Sequence, residues 1–449
     1  MNLSYLFKTF RVATPIVIAQ LVLSISGFLG MMMLARLGHD VLAASGLLYA
    51  TQMVITIIGI SPLLSLSAIV AQEYGKDQRQ EIGNLMQQAW LLSVIIAIII
   101  MLLYAFVRPI LLALGQNSYL VGLIVPYFHI AILGMPPLVF NMANSQFFSG
   151  IGKQKLTALV ATCGVVFTIA LGYVLINGKF GMPALGVAGW GIAFVAGMWF
   201  QAILFIIILS SLHEFKTYYL FKSHLRKRWR HLIALLKIGW PVMLQTGGEL
   251  LSFSFVVFMA GWLGKLPLAA MQVAVQFLLL IIIPSYGITI AAGVLVARAI
   301  GAKKYLEAKR YGDSGLLLSL IILIIIAIIM NVFPHQLARL YLSANEPHYH
   351  ELLHTIRILF IIIAASQFFD NIRNSLTGAL RGMFDTKVPM LVGLICIWLI
   401  RMPSAYLLAF TLDKGVYGIS FSGVFSMAIA GLWLWRRWIR KTQALIVSA

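Results

Sequence analysis

Charge is what this sequence has least of. Only 10% of its 449 residues are Asp, Glu, Lys or Arg, against about a quarter in soluble domains, which excludes a soluble globular chain. Acids are scarcer still: 13 against 33 Lys and Arg, a formal net charge of +20. In a soluble protein that excess would suggest nucleic acid. In so apolar a chain it reads as positive cytoplasmic loops, and no nucleic-acid partner is expected. The two cysteines, Cys163 and Cys396, lie in separate apolar runs, which excludes a disulfide framework and a CxxC metal site. There is no P-loop, no HExxH and no GxSxG, so an enzyme is not expected and neither is a cofactor. With no ATPase motif, any transport must run on an ion gradient or on the substrate's own gradient. His129 is the only histidine deep in an apolar run and reads as a hydrogen-bonded side chain.

What the chain has is hydrophobic length. It is 61% hydrophobic, and apolar runs of 18 residues or more recur along it, each long enough to cross a bilayer as a helix. The runs are continuous rather than alternating, so spanning helices are expected and a β-barrel is not. Twelve spans are expected, near 12–36, 46–72, 85–107, 120–147, 156–177, 186–211, 233–262, 268–297, 315–333, 352–378, 387–411 and 416–435. Lys8 and Arg11 precede an apolar run too long for a signal peptide, so the N-terminus reads as the first span. Of the loop lysines and arginines, 23 fall on the side of the termini and six on the other. That bias places both termini in the cytoplasm.

The chain also repeats itself. Pro15 matches Pro241, Leu37-Gly38 matches Leu263-Gly264, and Ala43-Ala44 matches Ala269-Ala270, all offset by 226 residues. Asn141 and Asn144-Ser145 match Asn371 and Asn374-Ser375 at an offset of 230. The expected fold is therefore an all-α integral membrane protein of two pseudo-symmetric six-helix bundles. Residues 1–211 would form the N-lobe and 233–449 the C-lobe, joined by a basic cytoplasmic linker at 212–232. Two such halves in the same orientation are a transporter architecture. Pro15, Pro62, Pro241 and Pro284 sit inside the spans and read as packed bends or hinges.

Eleven of the acids lie in loops or at span ends; Glu249 and Asp370 lie well inside spans. A carboxylate at that depth marks a partner, a cavity or a transport path. Gln245, Thr246 and Ser252 flank Glu249 at helical spacing; Ser366, Gln367, Arg373 and Asn374 flank Asp370, with Asn371 beside it. Two such faces could hold a monovalent cation such as Na⁺, and desolvated carboxylates can also take up and release a proton. Arg373 and Arg401 are intramembrane too, and a fixed salt-bridge network would use the same residues. Both readings hold together if the ion competes with an arginine. Gln20, Asn141, Asn144 and Gln276 are further polar positions that could meet a substrate. No structural metal is expected.

Three stretches together resemble the multidrug and toxic compound extrusion (MATE) family. They are Ile176-Asn-Gly-Lys-Phe-Gly-Met-Pro183 with Ala184 to Gly189, Gly239-Trp-Pro241 running on to Glu249, and Gly378-Ala-Leu-Arg-Gly-Met-Phe-Asp-Thr-Lys-Val-Pro389. The last closes on what reads as a short, wet, charged turn. The resemblance extends over all twelve spans and implies a NorM-like antiporter. Such a protein exports organic, often cationic, compounds across the bacterial inner membrane by alternating access, in exchange for Na⁺ or H⁺. It would act as a monomer among membrane lipids. The resemblance also implies a cation site on acids of spans 7 and 10, where Glu249 and Asp370 stand. The sequence departs from the pattern in the first half. Gly30 occupies the position of an aspartate found in many members, six residues before Arg36, and Thr168 and Gly172 replace asparagines of span 5. Ser366 stands where some relatives carry a tyrosine. A flippase for a lipid-linked oligosaccharide, which shares the broader fold, is the alternative. It would call for a strongly cationic cavity, and only Arg373 and Arg401 are deep enough to line one.

Overall fold

A computed structural model describes residues 3–35, 37, 39–221, 229–339 and 349–447. Arg36, Lys222, Arg226, Lys227, Arg228 and Glu346, which the charge counts include, lie outside the described residues. Among the described residues the chain is helical, with no strand. Twelve helical stretches are long and apolar enough to cross a membrane. Spans 1 to 6 are Leu3–Leu34, Ala44–Gly75, Arg79–Ala105, Ser118–Gly150, Gln154–Asn177 and Gly186–Ser211. Spans 7 to 12 are His231–Trp262, Leu266–Gly301, Tyr305–Val332, Tyr349–Gly382, Lys387–Thr411 and Gly415–Val447. About 20 residues suffice to cross the hydrocarbon layer, so these helices tilt or project beyond it.

The expected and observed spans coincide at most ends. Span 12 departs most. The basic C-terminal stretch expected to be a tail continues the helix to Val447. Trp438 explains why: it is fully buried and its indole N–H donates to Asp313 Oδ1 at 2.9 Å. The turn after span 10 also differs from expectation. Asp385 is not wet; it is buried, with Arg437 Nε 2.9 Å and Lys441 Nζ 3.3 Å from its Oδ2. The projecting end of span 12 therefore covers the turn.

Outward faces are as apolar as inward ones, because lipid rather than water is their solvent. On span 3, Ile95, Ile98, Ile99 and Leu102 are exposed, while Ile96, Ala97 and Ile100 are buried. Of the four prolines, Pro15, Pro241 and Pro284 lie inside continuous helices, and Pro62 opens a short 3-10 turn, Ser61–Ser65.

The chain divides into two compact units, Ile18–Met243 and Met1–Val17 with Leu244–Ala449. In the first, aromatic rings fill the core: Tyr104, Tyr127 and Phe128 are fully buried, with Tyr104 edge-on to Phe128 at 4.9 Å. In the second, span 10 packs against spans 8 and 12. Spans 8 and 10 cross on glycine: a Cβ on Gly293 would stand 2.7 Å from the carbonyl oxygen of Gly378, and one on Gly382 would stand 2.5 Å from that of Gly293. Small residues let two helix backbones approach this closely. That contact lies about one and a half to three turns after Asp370 and Arg373 on span 10 and fixes the helix that carries them.

Candidate functional site

Glu249 projects from span 7 and Asp370 from span 10, both in the unit containing Leu244–Ala449. Arg373 lies one turn after Asp370 on the same helix and joins them. Its Nε donates to Asp370 Oδ1 at 2.8 Å and its Nη1 to Glu249 Oε1 at 2.6 Å. Asn374 Nδ2 donates to Asp370 Oδ2 at 2.9 Å, and Gln245 Nε2 donates to Glu249 Oε1 at 3.1 Å. Span 11 packs against this cluster at Gly393, where a Cβ would stand in ordinary contact, 3.6 Å from Arg373 Nη1 and 3.8 Å from Gln245.

The three charges are unequally accessible. The Arg373 side chain is 4% exposed, that of Asp370 16% and that of Glu249 33%. All three line a cavity of about 190 Å³ with Ser252, Ser366, Gln367, Arg401 and Ser420, backed by apolar side chains such as Phe253, Val256 and Met271. Glu249 is thus the door of the cluster and Arg373 its interior. Two carboxylates facing one guanidinium leave one negative charge over. A monovalent cation would neutralise it, with amide and hydroxyl oxygens at hand to complete its coordination. Among the described residues no group of three or more His, Cys, Asp or Glu could hold a metal ion.

Of the residues singled out by sequence, Glu249, Asp370, Ser252, Ser366, Gln367 and Arg401 line this cavity. Gln245 and Asn374 bond its acids from behind. Asn371 is buried beside it, with its amide donating to the Gln367 carbonyl at 3.0 Å. Thr246 and Gln276 are not on the cavity wall, and Gln276 is exposed. Gln20, Asn141 and Asn144 belong to the other unit. There Asn141 Nδ2 donates to the Met198 carbonyl at 2.9 Å, and Asn144 Oδ1 accepts from Trp90 Nε1 at 3.3 Å. The sequence reading passed over Ser420 and Gly423 of span 12. The run of small residues Gly418-Ile-Ser420-Phe-Ser422-Gly423 was the available signal.

That other unit has no carboxylate at Gly30, and its packing leaves no space for one. A Cβ on Gly30 would overlap the ring of Trp190 and the hydroxyl of Tyr49. Trp190 is itself buried, so moving its ring would displace its packing neighbours.

Twelve apolar helices and a charged cavity sunk in one helical unit define a polytopic membrane transport protein. The MatE family pattern matches residues 15–174 and 241–407, and the chain belongs to that family, whose members are transporters rather than enzymes. A probable multidrug resistance protein NorM of Burkholderia pseudomallei is 30% identical over 445 residues, covering 98% of this chain and 94% of that one. A NorM protein of Synechocystis is 27% identical over 441 residues, 98% of this chain and 96% of its own. In fold, the chain is similar to a crystal structure of the Vibrio cholerae MATE transporter VcmN. The TM-score is 0.88 at 19% identity, covering 98% of each chain. It is similar too to a MATE structure in a straight conformation, with a TM-score of 0.87 at 18% identity, covering 98% and 97%.

Proposed function

We propose that the protein is a cation-driven antiporter that exports organic compounds across a bacterial inner membrane, with Glu249 and Asp370 as the ion seat. One observation carries the reading: Arg373 occupies the seat, bonded to both acids at the wall of a cavity that reaches Glu249. A buried pair is costly to break by deleting one partner, but an incoming cation replaces one partner by another. Na⁺ or H⁺ arriving at Glu249 competes with Nη1 of Arg373, the link between spans 7 and 10. The ion then favours whichever conformation leaves Arg373 turned away, and it does so only by the difference in its affinity for the two conformations. The family and its NorM-named relatives point to small-molecule substrates. The protein acts as a monomer in the lipid bilayer, and the 23-to-6 charge bias supports both termini being cytoplasmic. A polyanionic lipid-linked substrate is the weaker reading, because Arg373 is already neutralised by two acids.

The test is dye efflux from proteoliposomes, with a sodium gradient and a proton gradient imposed separately. One of the two drives efflux in the wild type. Glu249→Gln and Asp370→Asn abolish it while each protein still elutes as a folded species. Arg373→Gln removes the competitor and raises the apparent affinity for the driving cation by about tenfold or more, since a charged hydrogen bond is worth roughly 1.5–3 kcal/mol. Wild-type efflux in both acid variants removes the two carboxylates from the mechanism.

A further inference from the structure

Among the described residues, Arg401 is the charged group on the cavity wall to which no ion pair is made. Asp370 and Arg373 lie within electrostatic range of it, and each oxygen of Asp370 already accepts a hydrogen bond, one from Arg373 and one from Asn374. Its Nε is buried without a hydrogen-bond partner, and so are the hydroxyls of Ser420 and Ser252 on the same wall. Glycine again provides space. A Cβ on Gly423 would stand 2.8 Å from Ser366 Oγ and 3.7 Å from Arg401 Nε. The backbone that carries Arg401 is irregular as well. Residues Ile395–Arg401 and Leu407–Thr411 are π-helical, on either side of Pro403. Proline has no N–H to continue the ordinary ladder, and such widened turns recur where a helix presents a functional side chain.

A guanidinium is half-buried here with its Nε cut off from any partner, and burying part of a charge is costly unless it is paired. Its fork matches a carboxylate, and neighbouring hydroxyls can donate to the same group. We infer that Arg401 and Ser420 receive the carboxylate of an amphoteric organic substrate, whose cationic end takes the ion's place at Glu249 and Asp370. This rests on the antiport reading above. The charges decide for an amphoteric molecule. The cluster of Glu249, Asp370 and Arg373 carries one negative charge, which a seated cation neutralises, and Arg401 then remains as one positive charge on the same wall. The carboxylate of a zwitterion cancels that charge and pairs Arg401, whereas a plain cation leaves it uncompensated. The cavity of about 190 Å³ is smaller than the roughly 300–1,000 Å³ of drug-sized pockets. It therefore admits the polar end of a larger molecule.

Binding of a matched pair of dyes to the purified full-length protein tests this. Tetramethylrhodamine carries a free carboxylate, and its methyl ester does not. Fluorescence polarisation is read without any gradient, so the outcome is independent of which ion drives transport. The wild type is expected to bind the acid about tenfold more tightly than the ester, as one charged hydrogen-bonded pair allows. Arg401→Gln erases that preference by weakening the acid alone, Arg401→Lys keeps part of it, and Ser420→Val reduces it. Equal affinity of the wild type for both dyes, or no binding of either, overturns the proposal. So does an equal loss for both dyes in Arg401→Gln, which is the signature of a merely structural arginine. Where Arg401→Gln does not fold, an unchanged preference in Ser420→Val overturns it. A preference for the acid in a protein that shows no gradient-driven efflux overturns the antiport reading instead.

Discussion

At the scale of single residues, one glycine decides where charge cannot sit. Gly30 leaves no space for a carboxylate, because the ring of Trp190 and the Tyr49 hydroxyl already fill the place of its Cβ. The first-half acid found in many family members is therefore excluded here by packing as well as by sequence. Gly30→Ala is expected to cost about 1–3 kcal/mol, the usual penalty of overpacking, read as a lowered Tm. Gly27→Ala, one turn earlier and with nothing within 4 Å of its Cβ, should be neutral or slightly stabilising, since alanine favours helix by up to about 1 kcal/mol over glycine. Equal Tm values for the two variants would mean that Trp190 yields, and would reopen the question of a site in the first unit.

At the scale of elements, the spans were legible because each must be apolar for the length of the bilayer, and their ends fall where charge resumes. Glu249 and Asp370 were legible for the same reason, as the acids that break that rule. What was not legible is pairing. Arg373 and Arg401 look alike in sequence, both basic and both deep, yet among the described residues one bridges two acids and the other makes no ion pair. Arg373 shares span 10 with Asp370 one turn away, whereas Arg401 is presented from span 11 by the widened turns at Ile395–Arg401. The helical extension of span 12 escaped notice because Arg436, Arg437, Arg440 and Lys441 look like a tail, and only the burial of Trp438 among them shows otherwise. The crossing of spans 8 and 10 is a further property of elements. Gly378→Ala would press a methyl against Thr289, whose Cγ2 lies 2.5 Å from that position and whose backbone carbonyl is nearer still. Backbone cannot rotate away as a side chain can. The expected cost is again about 1–3 kcal/mol or more, with loss of efflux as span 10 shifts. Gly46→Ala, with nothing within 4 Å, is the control and should leave both Tm and efflux unchanged.

At the scale of the whole molecule, the charge carried per cycle follows from the site. The bridged pair has one negative charge in excess, so one Na⁺ or one H⁺ satisfies it. Exchange of one such ion for one singly charged cationic compound moves no net charge. Exchange for a zwitterion moves one positive charge inward. Each elementary charge crossing about 100 mV is worth about 2.3 kcal/mol, which corresponds to about a 50-fold change in the attainable concentration ratio. Proteoliposomes clamped with potassium and valinomycin separate the two cases. An inside-negative potential of that size should leave the protein-dependent efflux of the methyl ester of tetramethylrhodamine, read as the difference from protein-free liposomes under the same potential, unchanged at fixed ion gradient. The same potential should raise the final gradient of the free acid dye by a large factor, up to that limit. A potential that drives the ester as strongly as the acid would mean that more than one ion enters per molecule exported. The excess charge at Glu249, Asp370 and Arg373 would then not be the quantity that sets the stoichiometry.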